Sequence, residues 1–507
     1  MRLGLPAILS SNIGIADSVI PYMVDIMEPK KKITIIGAGP GGYETALAAA
    51  SSGLEVVLVS DSPVGGVCLN EGCIPTKTFC RNAELLDNLK AASEFGISTG
   101  EISLDFAKVI ERKNAVISQL QGGIEFLLKS KNVRFVRGRA ELKDKNTVIV
   151  HCSGSECPTK EEGTAAGEST EEIVSDFIVI ATGSVSATLP ITGADAEGVV
   201  TSREMLSLDS IPQRLCIIGA GVIGLEFASI FNSFGSEVTV LEYCKDILPH
   251  FDTDLAKRMK QALGKKGIKI ETGAQVKAIE RADTGGSLSV KYSKKDVDFS
   301  AEADKVLMAV GRRPAVQSLN LDAVGIEYSP KGIVTDSDMR TNVPNIFAIG
   351  DIRGGIMLAH AATFEGKRAL NAILADIREG GPEKDRILDG IDFGIIPAAV
   401  FTRPEVATVG LTEEDCKDKE LKIKCLKSMF RANGKAVAMG EADGYCKIIT
   451  DAEDGRILGC HLFGPHASDI IQEVAALMNK KATIYELQDI IHAHPTLSEV
   501  ILSAAGI

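Results

Sequence analysis

Ile33-Thr34-Ile35-Ile36-Gly37-Ala38-Gly39-Pro40-Gly41-Gly42, running on into Tyr43 to Ser51, is the stretch that decides the fold. Ile33 to Ile36 predicts a short buried strand, the glycines a turn, and the Ala-rich run from Tyr43 a helix. Glu55 to Val59 reads as a second strand, so the segment is a βαβ unit. Gly37, Gly39 and Gly42 supply the G-x-G-x-x-G pattern, in which bare backbone lets a pyrophosphate approach the helix N-terminus. Alone, such glycines could mark only a tight turn; the strand before and the helix after favour a dinucleotide site. The ribose-binding acid expected at the end of the second strand is displaced by one position. Ser60 stands there and Asp61 follows, which makes Asp61 the candidate.

About 180 residues further on the pattern recurs. Leu215 to Ile218 predicts a strand, Leu225 to Phe234 a helix and Val238 to Leu241 a strand, with Gly219, Gly221 and Gly224 as the second fingerprint. Glu242 lies 18 residues past the last of these glycines, placed to accept a ribose 2′-hydroxyl and to repel a 2′-phosphate. That favours NAD over NADP, with Lys245 the one nearby cation. Two dinucleotides are therefore expected.

Between the units lie a predicted helical stretch (about 80 to 130), strand-like segments at Val133 to Val136 and Thr147 to Val150, and Ile178 to Ile180 leading into Ala181-Thr182-Gly183. Residues 151 to 172 are rich in Glu and poor in apolar side chains, and predict an exposed flexible loop. From about Gly390 the pattern becomes mixed strands and helices without a further glycine fingerprint.

The 507 residues are 45% hydrophobic and 24% charged, with no Trp, as in a folded multidomain protein. A formal charge of -13 disfavours nucleic acid as a partner. No stretch predicts a transmembrane helix, and residues 1 to 30 fit neither a secretory signal nor an Arg-rich presequence, so they are expected to be an extension. Eleven scattered cysteines predict a reducing compartment, the cytoplasm, with a mitochondrial matrix as the eukaryotic alternative. Any disulfide in such a protein should be functional.

Cys68 and Cys73 lie just beyond the first βαβ unit. In an unbroken α-helix residues five apart would have Cα atoms roughly 8 to 9 Å apart, beyond disulfide reach, so a pairing requires the backbone to bend, which Gly72 would permit. Separate thiols are the alternative; no second Cys or His pair completes a zinc site, and no metal is expected. Cys152 and Cys157 repeat the spacing inside the polar segment, where it reads as incidental. Near the C-terminus His494 has a carboxylate, Glu499, five residues on, suited to orient an imidazole that takes a proton from a thiol.

These residues resemble the pyridine nucleotide-disulfide oxidoreductase family, and most closely its dihydrolipoamide-oxidising members. The resemblance covers about residues 31 to 507 and rests on GAGPGGYETA (37 to 46), GGVCLNEGCIPTK (65 to 77), ATGS (181 to 184), GAGVIGLEFA (219 to 228), AVGRRP (309 to 314), TNVPNIFAIGD (341 to 351), LAHAATFEG (358 to 366) and HAHPTLSE (492 to 499). It implies an α/β protein with two Rossmann-like dinucleotide-binding domains and an α+β C-terminal dimerisation domain. The expected spans are 31-188 with 311-389 for FAD, 189-310 for NAD and 390-507 for the interface. It further implies FAD at Gly37, Gly39, Gly42, Asp61, Lys77, Gly183, Asp351 and Ala359, and NAD at Gly219, Gly221, Gly224, Glu226, Glu242 and Gly311. Cys68 resembles the interchange thiol and Cys73 the thiol against the flavin. His494, supported by Glu499, resembles a base that serves the other subunit of a homodimer. Implied partners are the dihydrolipoyl domains of 2-oxoacid dehydrogenase or glycine cleavage complexes.

Within the family, glutathione- and trypanothione-type reductases prefer NADP, against Glu242, and the mercuric type carries a C-terminal Cys pair where this chain has Ala504-Ala505-Gly506-Ile507. A non-catalytic subunit that docks into a complex is the rival from another class. The joint presence of Cys68, Cys73, His494 and Glu499 disfavours it.

Overall fold

The structure, a computed structural model, describes residues 30–152, 169–281, 287–379 and 389–506. The N-terminal extension up to residue 29 and Cys157 lie outside them.

The first fingerprint unit is built into a seven-stranded sheet. Its order is Ile346–Ala348, Phe177–Ile180, Lys32–Ile36, Glu55–Ser60, Arg134–Leu142, Thr147–Cys152 and Ser169–Val174. The first five strands are parallel and the last two antiparallel. Lys32–Ile36 is an interior strand, third of the seven, and is buried along most of its length, as expected for a parallel strand covered on both faces. Helices Pro40–Ser51 and Ala359–Glu379 pack together against it. The expected single helical stretch is in fact two helices, Cys73–Lys90 and Phe106–Ser130, separated by a short 3₁₀ turn at Ala92–Phe95.

The expected flexible loop at 151 to 172 needs correction at both ends. His151 and Cys152 belong to one strand, and Ser169–Val174 forms its antiparallel neighbour, with Val148 opposite Ile173. Of that second strand only Ile173 is buried; Glu172 lies on the solvated face of this edge strand, while Glu171, on the Ile173 side, pairs with Arg134 at 2.6 Å.

The second fingerprint unit forms an all-parallel five-stranded sheet in the order Lys269–Thr272, Glu237–Glu242, Arg214–Ile218, Lys305–Met308, Val199–Val200. Its helix, Val222–Phe234, is buried nearly all round and packs on Cys73–Lys90. A three-stranded antiparallel sheet (Gln275–Arg281, Leu288–Lys294, Val297–Ala303) adjoins it. Ser184–Ser186 pairs with Arg312–Pro314 where the chain passes between the two Rossmann layers. The C-terminal part is a five-stranded antiparallel sheet, from Ala398–Val400 to Ile457–Gly464, covered by helices Ala467–Asn479 and Glu499–Ala504. Among the described residues no helix is long and apolar enough to cross a membrane.

Candidate active site

One continuous cavity of about 2800 Å³ runs between the two Rossmann layers. That is several times an ordinary ligand pocket of roughly 300 to 1,000 Å³. Both fingerprints open onto it, as do Cys68, Cys73, Lys77 and Glu226.

The glycines divide their work identically in the two units. A Cβ on Gly37 would lie 2.2 Å from the Ala181 carbonyl oxygen, and one on Gly42 would lie 1.9 Å from that of Gly37. In the second unit the matching distances are 2.3 Å from Gly219 to the Ala309 oxygen and 2.0 Å from Gly224 to the Gly219 oxygen. Gly39 and Gly221, by contrast, meet nothing within 4 Å. The outer glycines are therefore demanded by backbone packing, while the middle ones keep space clear at a helix N-terminus, where a pyrophosphate is held. Gly42 and Gly224 lie behind the cavity wall and not on it, so they shape the cradles without lining them. The residues present fit two dinucleotides.

At the far end of the first cradle, Asp61 lines the cavity and accepts a hydrogen bond from Ser62 Oγ at 2.9 Å. Ser60 is buried. In the second cradle Glu242 is buried, accepting from the Ala220 amide at 2.6 Å and the Cys244 amide at 2.7 Å. A carboxylate retains lone pairs beyond these two bonds, so a hydroxyl can still be received. Asp351 accepts from Ser184 Oγ at 2.5 Å, and Arg312 Nε donates to the same Oγ at 2.7 Å. Gly183, Gly311 and Ala359, the first residue of its helix, also line the cavity.

The thiols stand on a helix that breaks between them. Gly66–Glu71 ends at Gly72 (φ −142°, ψ −111°), and Cys73–Lys90 starts immediately after. Gly72 thus supplies the bend that the spacing required; a Cβ there would lie 2.9 Å from the Val67 oxygen. The Gly65 amide donates to the Ala38 oxygen at 2.8 Å, pinning this helix pair to the first fingerprint turn. Both cysteines are free thiols in contact with each other. The hydrogen bond from Cys68 brings the Cys73 thiol down to about 7, against its burial and helped by the Lys77 ammonium. The same bond, with burial, pushes Cys68 up. The pair's hydrogen bond thus favours ionisation at Cys73 over Cys68.

One turn along, Lys77 Nζ contacts both oxygens of Glu226, whose side chain is only 4% exposed. Burial works against the Lys77 ammonium, but the charge and hydrogen bonds of Glu226 outweigh it and raise its pKa. The Phe401 amide donates to Glu226 Oε1 at 2.9 Å, and the Phe401 ring lies 4.4 Å from Lys77 Nζ. Phe401, Ser184 and Arg312 were not singled out from the sequence. Ser184 and Arg312 sit inside the quoted ATGS and AVGRRP motifs, which was their one signal; Phe401 had none.

His494 and Glu499 are together but apart from this cavity. His494 Nδ1 and Glu499 Oε1 are 2.9 Å apart, and the Thr496 amide donates to Glu499 Oε2 at 2.8 Å. That amide first, and His494 second, hold the Glu499 carboxyl below its ordinary value. The His494 side chain is 77% exposed, and neither residue lines the cavity of its own chain. Among the described residues no cluster of His, Cys, Asp and Glu could hold a metal ion.

Residues 31–366 match the family model for pyridine nucleotide-disulphide oxidoreductases, and residues 396–505 match the dimerisation domain of that family. A dihydrolipoyl dehydrogenase of Bacillus subtilis (strain 168) is 40% identical over 475 residues, covering 93% of this chain and 95% of that relative. The enzyme of the same name from Geobacillus stearothermophilus is 38% identical, covering 93% and 95%. Among solved structures, LpdA from Mycobacterium tuberculosis superposes with a TM-score of 0.82 at 28% identity, over 94% of this chain and 99% of that one. The HOCl-induced flavoprotein disulfide reductase RclA from Escherichia coli superposes with a TM-score of 0.78 at 29% identity, again over 94% and 99%. The cofactors are FAD and NAD. Two glycine cradles, a thiol pair between them and family matches spanning most of its length all agree: the chain belongs to the pyridine nucleotide-disulphide oxidoreductase family.

Proposed function

We propose that the chain is a dihydrolipoyl dehydrogenase, oxidising protein-bound dihydrolipoamide to lipoamide and reducing NAD. The observation that carries this reading is the pair Cys68 and Cys73 across a helix break, in one cavity with both cradles and with Cys73 the better leaving thiolate. FAD belongs with Gly37, Gly39, Asp61, Lys77, Gly183, Asp351 and Ala359, and NAD with Gly219, Gly221, Glu226, Glu242 and Gly311. Gly42 and Gly224 close the turns behind them.

In the oxidised enzyme Cys68 and Cys73 form a disulfide. His494, held by Glu499, takes the proton from one dihydrolipoyl thiol, and the resulting thiolate attacks Cys68 Sγ. The Cys68–Cys73 bond breaks, and Cys73 departs as a thiolate, the form its lowered pKa favours. The second substrate thiol then attacks the substrate sulfur bonded to Cys68, its proton passing to the departing Cys68 sulfur, which closes lipoamide and leaves the two electrons on the cysteine pair as the Cys68 thiol and the Cys73 thiolate. Bound beside Cys73, FAD would supply the two-electron acceptor that lets the Cys68–Cys73 disulfide re-form, and NAD in the second cradle would be the final hydride acceptor. Lys77 and Glu226 keep a fixed charge pair beside that path.

His494 is exposed and off its own cavity, which supports a homodimer in which His494 of the partner subunit completes each site. Lipoyl domains of 2-oxoacid dehydrogenase or glycine cleavage complexes are the partners that fit this chemistry, and a reducing compartment such as the cytoplasm fits the scattered cysteines. The domains proposed are 31–188 with 311–389 for FAD, 189–310 for NAD and 390–507 for the interface.

The test is anaerobic addition of dihydrolipoamide to the purified flavoprotein, followed by NAD, with the visible spectrum recorded throughout. A long-wavelength thiolate-to-flavin band followed by NADH supports the assignment. A flavin that reduces only with NADH and passes electrons to another disulfide or to a metal ion would move the chain to a different activity of the same family.

A further inference from the structure

Lys447 lies on strand Tyr445–Asp451 in the C-terminal sheet, and its side chain is 1% exposed. A buried ammonium is costly unless it is paired, and three carboxylates surround this one. Asp252 Oδ2 is 2.6 Å away, Glu413 Oε1 2.5 Å and Asp254 Oδ2 3.4 Å. Glu413 belongs to the C-terminal part itself, but Asp252 and Asp254 stand at the start of helix Thr253–Lys265 in the NAD-type layer. Asp252 Oδ2 has no hydrogen-bond partner beyond this ion contact, while its Oδ1 caps the helix by accepting from the Asp254 and Leu255 amides. Lys427 pairs with Asp254 at 2.7 Å, and the Arg258 guanidinium lies 4.9 Å from the Tyr445 ring centre, so the helix is fastened to the same sheet at two further points.

The capping residue is joined directly to the second cradle. Pro249, His250 and Phe251, immediately before Asp252, line the cavity at the end where Glu242, Tyr243 and Cys244 also line it. The Phe251 amide donates to the Leu248 oxygen at 2.8 Å, and the Leu248 amide to the Ala220 oxygen at 3.0 Å. Ala220, inside the fingerprint, donates its own amide to Glu242. Leu248 is buried and held at φ +48°, a left-handed conformation that a branched side chain keeps only where the surroundings enforce it. A continuous path of bonded groups thus runs from a buried cation in the C-terminal sheet to the carboxylate of the second dinucleotide cradle.

We propose that Lys447 is a positioning residue for NAD: by clamping Asp252 it holds the 247–252 segment, and through it the Ala220–Glu242 contact, in the binding conformation. The C-terminal part would then set nicotinamide-dinucleotide affinity without touching the dinucleotide. The inference rests on the assignment of NAD to the second fingerprint.

The test uses flavin-loaded full-length protein and titrates ADP-ribose calorimetrically, because that probe carries the adenosine and pyrophosphate groups but undergoes no redox chemistry. Lys447→Met alone leaves Asp252 buried and uncompensated and endangers folding, so it is paired with Asp252→Asn, which retains the cap and removes the charge. The double variant is expected to lose about tenfold in ADP-ribose affinity, with KM for NAD rising in parallel while KM for dihydrolipoamide and flavin content stay as in the parent. Lys447→Arg should recover most of the affinity. Parental ADP-ribose affinity in the folded double variant overturns the proposal. So does a uniform loss in which flavin content and both KM values change together, since that is what a purely structural strut produces. A parent protein that fails to bind ADP-ribose at all overturns the NAD assignment, and the positioning role with it.

Discussion

Lys77 Nζ stands 3.0 Å from each carboxylate oxygen of Glu226, joining the helix that carries Cys73 to the helix that follows the second fingerprint. The pair is a direct charge link between the thiol site and the NAD layer, beside Arg203–Glu71 at 2.9 Å. Glu226 is nearly inaccessible, so its charge is tolerable because Lys77 and the Phe401 amide compensate it.

Lys77→Met should therefore destabilise the protein by about 3 to 5 kcal/mol, the usual result of stranding one buried partner. Glu226→Gln, which keeps a hydrogen-bond acceptor for Phe401 and removes the charge, should cost less. Denaturant melts of both variants check this; equal losses would mean that the pair is held by packing and not by charge.

The same geometry sets the pH response of the thiols. With Cys73 at about 7, alkylation of the flavin-free reduced protein by iodoacetamide should rise through neutral pH and go first to Cys73, which the flavin would otherwise cover. The sign follows from the neighbours: Lys77 lowers the Cys73 pKa and Glu226 raises it, so Lys77→Met should move the alkylation midpoint to higher pH and Glu226→Gln to lower pH. Cys68, pushed up by its bond with Cys73 and by burial, should react more slowly throughout. Cys73→Ser should abolish dihydrolipoamide turnover, by roughly a thousandfold or more, with flavin still bound. Mass spectrometry of the labelled peptides distinguishes the two thiols.

The features legible in the sequence are those whose chemistry is local. Gly37, Gly42, Gly219 and Gly224 are required by backbone contacts within the turn and its flanking strands, so their spacing alone announced two cradles. The need for a bend at Gly72 followed from helix geometry. Glu171 and Glu172 misled because an edge strand with a single buried residue, Ile173, carries the composition of a loop, and the Arg134 that covers Glu171 comes from a distant strand. Phe401, far along the chain from Lys77 and Glu226, is brought to them by tertiary packing that leaves no periodic trace. Lys447 reads as one more charged residue in a strand, and only the fold puts three carboxylates around it.

The open space at Gly39 separates binding from folding. Gly39→Ala places a methyl group where no protein atom lies within 4 Å, so the flavin-free protein should keep its stability to within about 1 kcal/mol while flavin affinity falls. Gly42→Ala drives a Cβ to 1.9 Å from the Gly37 oxygen and should lose the fold of the first unit outright. Melting curves of apo-protein together with flavin absorbance after gel filtration separate the two behaviours. A Gly39→Ala variant that retains full flavin would contradict the pyrophosphate cradle.

His494 offers the most discriminating test, because it is exposed and does not line the cavity of its own chain. Cys73→Ser and His494→Ala should each be inactive as homodimers. In a mixed dimer one site combines the Cys73→Ser thiol pair with the subunit carrying His494→Ala and stays dead. The other joins an intact Cys68–Cys73 pair to His494 of the partner subunit, so about half the sites of each mixed dimer should work. Refolding the two variants together and assaying NADH production measures this directly. Recovered activity places the base in trans; no recovery, with mixed dimers demonstrated by differential tagging, would assign His494 to its own chain and require a closure that carries it to the thiols.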